Sequence, residues 1–256
     1  MFLEENIFSL KSKVIIVTGG ARGNGLAIGK SLLDFGATTY FFDRLKSELK
    51  NIEKQIQSDK AHFVNIDVTD YAKFANCCGE IFLKENRIDV LVNNAGVTYG
   101  QNSEKYSQKN WDETFRVNLE APFRLSQIIF PYMKKTGAGS IINITSIASE
   151  LGMSKNPAYV SSKGGLKQLT KALAKDWATH GIRVNNLGLG YFQTDMTQKS
   201  FNDESMRNKR SERIMLGRWG KSRDLAGPAV FLASDASRYM TGQDLYIDGG
   251  LLTNGI

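Results

Sequence analysis

The sequence is poor in the residues that build metal centres and disulfide frameworks. Its only two cysteines, Cys77 and Cys78, are chain neighbours, a spacing that suits neither a structural disulfide nor a metal site and leaves them as helix packing residues. Its two histidines, His62 and His180, stand alone without ligand spacing around them, so both read as structural and no metal is expected. No apolar run approaches the length of a membrane span. The opening stretch MFLEENIFSLKSK carries acids at Glu4 and Glu5 and has no apolar core of signal-peptide length. These absences predict a cytoplasmic protein with no membrane partner. The net charge is +7, yet the basic residues are scattered and no Lys/Arg-rich cluster with interleaved aromatics marks a nucleic-acid surface. The charge reads as a solvated basic surface, and nucleic acid is not an expected partner. Repeats, low-complexity tracts and linkers are also missing, so 256 residues with 41% hydrophobic content predict one domain spanning 1–256.

What is present is a rhythm. Short apolar runs at 13–19 (KVIIVTG), 38–43 (TTYFFD), 61–67 (AHFVNID), 89–96 (DVLVNNAG), 140–146 (SIINITS), 182–188 (IRVNNLG) and 244–250 (DLYIDGG) alternate with longer amphipathic segments. Val14, Ile15, Ile16 and Val17 do not alternate polar with apolar, as expected of strands covered on both faces. The pattern predicts an α/β fold: a doubly wound, parallel, seven-stranded sheet with helices on both faces and right-handed crossovers. The stretch 192–213 (FQTDMTQKSFNDESMRNKRSER) is charged and has few periodic apolar positions. It predicts a mobile flap over a site.

The first strand runs into Thr18-Gly19-Gly20-Ala21-Arg22-Gly23-Asn24-Gly25, followed by a helical segment. Glycines here permit a tight turn and let backbone N–H groups approach a pyrophosphate, whose charge a helix N-terminus favours. Asp43 ends the next strand about twenty residues on, where a ribose-binding carboxylate belongs. It would accept hydrogen bonds from the adenosine ribose hydroxyls and repel a 2′-phosphate, which argues for NAD over NADP. Arg22 and Arg44 flank the same place and suit a phosphate, so NADP stays open.

In PAYVSSKGG (157–165), Tyr159 and Lys163 stand one helical turn apart and share a face. Taken alone, a Tyr-x-x-x-Lys is as easily coincidence as chemistry. Gly164 and Gly165 each cost a helix interior about 1 kcal/mol relative to alanine, so they are expected to admit the close approach of another backbone.

Together these motifs resemble the short-chain dehydrogenases/reductases, and the resemblance covers essentially the whole chain. It is carried in order by TGGARGNG (18–25), NNAG (93–96), Ser146 placed thirteen residues before Tyr159, and YVSSK (159–163). It implies a Rossmann-type fold and an Asn118-Ser146-Tyr159-Lys163 catalytic tetrad, with Asn118 holding a water that links Lys163 to solvent. For the cofactor it implies contacts from Gly19, Ala21, Arg22, Gly23, Asn24, Gly25, Asp43 and Arg44, and from Asp67 and Val68 at the adenine. Asn94, Ala95 and Gly96 would line it, Tyr159 and Lys163 would also touch it, and Thr194 would face the carboxamide. It further implies a homo-oligomer, dimer or tetramer, built on the helix after Tyr159 and its neighbour. Three residues depart from the family pattern. Asn24 replaces an apolar residue, which is expected to alter the helix start; Leu189 replaces a proline before Gly190, which is expected to loosen the loop; Thr145 replaces a serine.

The chemistry is within reach of these groups. Oxidising an alcohol requires a base that works near neutral pH beside an oxidised nicotinamide. Bringing a tyrosine from ~10 to ~7 takes about 4 kcal/mol, and a unit charge at ~4 Å supplies that much at an effective dielectric of ~20. Burial of the phenolate opposes it. The resemblance is greatest to members acting on sugars, polyols or sugar acids, of the gluconate and deoxygluconate dehydrogenase kind. Lys155, Asn156, Gln193, Met196 and Arg207 are the selectivity candidates. Two alternatives remain: an NADPH-dependent 3-oxoacyl-carrier-protein reductase, and a cofactor-sensing binding protein without turnover.

Overall fold

The computed structural model describes residues 6–254; Glu4 and Glu5, and with them the reading of the first residues, lie outside the described residues. The chain runs β1 (Val14–Thr18), α1 (Gly23–Asp34), β2 (Thr38–Asp43), α2 (Lys46–Gln55), β3 (Ala61–Asn65), α3 (Tyr71–Glu85) and β4 (Val90–Asn93). It continues through α4 (Gln108–Phe115), a π-helical turn (Arg116–Glu120), α5 (Ala121–Thr136), β5 (Gly139–Ser146), α6 (Pro157–Trp177) and β6 (Ile182–Leu189). It then forms α7 (Gln198–Asn202), α8 (Glu204–Ser211), α9 (Ala226–Ala233) and β7 (Asp244–Ile247).

The seven strands lie in the order β3-β2-β1-β4-β5-β6-β7, and every neighbouring pair is parallel. Each sequence run expected to be a strand is one, although four of them, at 13–19, 61–67, 89–96 and 244–250, give way to loop or turn before their expected ends. The chain starts at β1, winds outward to β3 and returns beside β1 as β4. That reversal leaves a crevice at the carboxyl ends of β1 and β4, the place where ligands bind in such sheets.

Both faces of the sheet are apolar because both are covered. Ile16, Phe42, Leu91, Ile141 and Val184 point to a core shared with α3, α5 and α6, while Ile15, Val17, Val92, Ile142 and Leu187 pack against α1 and α9. Cys78 is fully buried on α3, as expected of a packing residue. His62 stacks on Tyr40 and His180 meets Phe130 edge-on.

A row of polar side chains crosses this apolar interior. Asn93, Asn143, Asn186 and Asp244 are register partners on β4, β5, β6 and β7. Asn93 donates to Asn143 at 2.8 Å, Asn143 donates to the Thr170 hydroxyl at 2.8 Å, Thr170 donates to Asn186 at 2.6 Å, and Asn186 donates to Asp244 at 2.7 Å. Thr170 stands on α6 two turns beyond Lys163, so the row ties the sheet to that helix.

The two glycines of α6 do not admit a backbone. A Cβ at Gly164 would meet nothing within 4 Å, and one at Gly165 would meet only the Leu119 side chain, at 3.0 Å. Gly165 therefore makes room for the π-helical turn rather than for a crossing main chain. The charged stretch after β6 folds into α7 and α8, anchored by Phe201 edge-on to Trp219 at 5.3 Å and by Tyr191 against the same indole at 5.2 Å.

Candidate active site

Three positions in the turn after β1 call for glycine. Gly19 and Gly23 have φ of +63° and +54°, a region that side-chain-bearing residues avoid. A Cβ on Gly25 would lie 2.1 Å from the Gly19 carbonyl oxygen and 2.3 Å from Asn94 Nδ2. Asn94 holds the turn by donating to the carbonyls of Thr18 and Gly19 at 2.9 and 3.0 Å, and the Thr18 hydroxyl accepts from the N–H groups of Asn94 and Ala95. Helix α1 starts at Gly23 with no side chain capping its N-terminus, so its first N–H groups suit an anion. Asn24 does not divert that start, and its Oδ1 is buried without a partner.

Asp43 closes the next strand and is 7% exposed. Its carboxylate accepts from Ala21 N and from Leu45 N, each at 3.0 Å. Two carboxylate oxygens offer about four acceptor sites, so capacity remains for a ribose diol. The turn, the helix terminus and this carboxylate fit a dinucleotide. When bound, such a cofactor supplies the carbon that accepts or gives up a hydride.

At the other end of the crevice, β5 ends at Ser146, whose hydroxyl accepts from Ala148 N at 3.1 Å. From α6, Lys163 reaches in with 4% exposure and donates to the Ile144 carbonyl at 2.7 Å. Its ammonium lies 5.8 Å from the centre of the Tyr159 ring. Burial pushes Lys163 down to about 8 and pushes the Tyr159 phenol above its ordinary value, with the Ser146 hydroxyl opposing. Desolvation, the counterweight in the sequence reading, is thus the larger effect on the phenol in the protein alone.

Asn118 is buried on the π-helical turn, a rare geometry that often marks functional positions. Its amide accepts from Val97 N at 2.8 Å and donates to Val97 O at 2.9 Å and to Ser162 Oγ at 3.2 Å. It thereby fixes the strand exit after Gly96 to helix α6, the helix of Tyr159.

One cleft of about 590 Å³ gathers these groups. Every expected site residue lines it except Ala21, which acts through its N–H on Asp43, and Asn118, which lies behind Val97. A shallower hollow of about 700 Å³ over α4 shares only Tyr99 with the cleft and contains none of the tetrad. Of the selectivity candidates, Met196 lines the cleft while Lys155, Asn156, Gln193 and Arg207 do not. Asn156 accepts from the Thr98 hydroxyl, Lys155 spends its carbonyl on Gln101 N, and Arg207 donates to the Phe201 carbonyl. The cleft adds Thr98, Tyr99 and Asp195, none of which carries a motif signal in the sequence. Leu189 does not loosen the following loop. It is 5% exposed and pairs with Ile247, while Gly190 N donates to Ile247 O and Phe192 bridges to Gly220.

Comparison with known proteins agrees with this geometry. Residues 19–252 match the family described as Enoyl-(Acyl carrier protein) reductase. Gluconate 5-dehydrogenase of Gluconobacter oxydans (strain 621H) is 37% identical over 248 residues, which are 96% of this chain and 97% of that protein. A 3-oxoacyl-acyl-carrier-protein reductase of Thermotoga maritima is 38% identical over 245 residues, covering 95% of this chain and 99% of that one. The crystal structure of a gluconate 5-dehydrogenase from Burkholderia cenocepacia J2315, in complex with NADP and tartrate, superposes with a TM-score of 0.92 at 33% identity, over 96% of this chain and 98% of that one.

Proposed function

The chain belongs to the short-chain dehydrogenase/reductase family, and from that premise we propose that it moves a hydride between a nicotinamide cofactor and a secondary alcohol or ketone of a sugar acid or polyol. One observation carries the reading: Tyr159 and Lys163, one turn apart on α6, share a cleft with Ser146 at the end of β5 and with the glycine turn after β1. In oxidation, Tyr159 takes the proton of the substrate hydroxyl as the hydride leaves its carbon, and Ser146 hydrogen-bonds the substrate oxygen. Lys163 supplies the positive charge that favours the phenolate, and Asn118 positions the Val97 backbone that borders the reacting atoms. In reduction the same phenol returns the proton.

Asp43 favours NAD, with NADP the alternative. Gluconate 5-dehydrogenase activity in the two relatives supports a sugar-acid substrate. Acyl-carrier reduction is the second reading, favoured by the Thermotoga maritima relative and by a net charge of +7, which suits an acidic carrier. The enzyme works in the cytoplasm as a dimer or tetramer assembled through α5 and α6, and the stretch 192–213 acts as its flap. Among the described residues no helix is long and apolar enough to cross a membrane.

The test is turnover by the purified chain, followed by nicotinamide absorbance, with gluconate and its keto and deoxy relatives against acetoacetyl thioesters. Sugar-acid turnover at a kcat/KM at least an order of magnitude above that for thioesters supports the reading. The reverse order moves acyl reduction to the front, and no turnover of either leaves the substrate class wrong.

A further inference from the structure

The two cations beside Asp43 already have partners. Arg22 Nη1 lies 3.2 Å from Asp195 Oδ2, and Arg44 Nη1 lies 3.7 Å from Asp67 Oδ2. The second pair joins neighbouring loops of the nucleotide half. The first spans the cleft, because Arg22 sits in the glycine turn and Asp195 at the root of the flap, and both line the cavity.

Asp195 is held in place by a compact turn. Thr194 N donates to the Thr197 hydroxyl at 3.0 Å, and Thr197 N donates to the Thr194 carbonyl at 3.0 Å. Thr194 itself lies against the glycine turn, so close that a Cβ on Gly23 would sit 3.7 Å from its side chain. The carboxylate of Asp195 is therefore aimed at Arg22 by local backbone geometry and not by a long flexible arm.

We propose that Asp195 is a specificity-determining residue: by pairing with Arg22 it withholds that guanidinium from a 2′-phosphate and biases the cleft toward NAD(H). This rests on the nucleotide-cleft reading given above. A guanidinium offers its planar fork fully to one oxyanion at a time. A phosphate on the ribose beside Asp43 has to draw Arg22 away from Asp195, and it then stands near two carboxylates instead of one. A ribose with a free 2′-hydroxyl makes no such demand, and the clasp between turn and flap survives. Cofactor choice in this chain is thus set from both walls of the cleft, by Asp43 at the end of β2 and by Asp195 at the root of the flap.

Both partners are exposed, with side-chain exposures of 57% and 63%, so the effect is modest and screened by salt. The experiment is fluorescence titration of the full chain with NADH and with NADPH, at low and high salt. The proteins are the parent, Asp195→Asn, Arg22→Gln and the double variant. Asp195→Asn is expected to move the NADPH-to-NADH ratio of Kd toward NADPH by about three- to fivefold at low salt, the range of an exposed ion pair, and by less at high salt. In the Arg22→Gln background the same change is expected to move the ratio by less than about twofold, because the coupled partner is gone. An unmoved ratio in Asp195→Asn overturns the proposal, and so does a shift of equal size without Arg22, which would be a general charge effect. Failure of the parent to bind either cofactor is a different result and overturns the nucleotide-cleft reading itself.

Discussion

The ammonium of Lys163 stands 5.8 Å from the centre of the Tyr159 ring while donating to the carbonyl of Ile144 at 2.7 Å. The lysine is thus anchored to the strand that ends in Ser146, and the charge that tunes the phenol is positioned by the same backbone that positions the hydroxyl opposite.

Replacing Tyr159 with phenylalanine removes the proton carrier and keeps the ring. Turnover in either direction should fall by about a hundredfold to ten-thousandfold, with nicotinamide affinity retained. Burial holds the phenol above its ordinary value, so the base form appears only on the alkaline side. Alcohol oxidation should therefore rise with pH through the neutral range, whereas ketone reduction should hold and then fall as the phenol ionises. Initial rates against pH in both directions check both limbs, and an oxidation profile that is flat into the alkaline range speaks against Tyr159 as the base.

Lys163 gives stability a pH dependence of its own. Its value is lowered from 10.5 to about 8 because burial disfavours the ammonium. Below pH 8 both folded and unfolded chains carry the charge, and the folded state bears the cost of burying it. Between pH 8 and 10.5 the folded chain has released its proton while the unfolded chain still holds one, so stability rises with pH across that window. Relative to Lys163→Met, the parent should gain about 3 kcal/mol over it, most of it before pH 10. Urea unfolding of both proteins at stepped pH measures the difference, and parallel curves would refute it.

Gly25→Ala tests the nucleotide turn. The added methyl meets the Gly19 carbonyl and the Asn94 amide well inside contact distance, so the turn must open. A loss of about 1–3 kcal/mol in stability is expected from the overpacking, with NADH binding lost beyond it. Titration at a temperature where the variant remains folded by circular dichroism separates the two effects.

Thr170→Val keeps the shape of a fully buried side chain and deletes its hydroxyl. Asn143 loses an acceptor and Asn186 a donor in a region closed to water. The expected cost is about 2–4 kcal/mol, read as a lower denaturant midpoint at unchanged slope. A change below about 0.5 kcal/mol would mean that the row of amides contributes little.

Much of this molecule is legible in its sequence because the informative signals are local. Four or five apolar residues in a row, such as Val14–Val17, announce a strand covered on both sides, and a glycine turn followed by Asp43 announces the nucleotide half. Tyr159 and Lys163 are legible because helical spacing alone puts them on one face. What escapes is whatever depends on a distant partner. The π-helical turn under Asn118 has no periodic signature, since it is one residue of slack in an otherwise helical stretch. Helices α7 and α8 lack an apolar stripe because their anchorage comes from Trp219 and Tyr191. Lys155 and Arg207 look like free cations in the sequence, yet neither reaches the cleft; Asp195 looks like an ordinary flap acid, yet it meets Arg22. The glycines of α6 mislead for the same reason, because only the fold shows that Leu119 is the neighbour of Gly165 and that Gly164 faces open space.

The row from Asn93 to Asp244 bears on how the chain finds this arrangement at all. Strands that are apolar on both faces lack the alternation that ordinarily tells one alignment from the next. A slip of one residue between β4 and β5, or between β5 and β6, would still bury oil against oil. It would also set an isoleucine or a valine opposite an amide and strand several polar groups in the dark, each at a cost of about 1–3 kcal/mol. The amides therefore act as alignment marks for the strands: beyond the bonds they make in the correct sheet, they make every misaligned version of it too costly to persist.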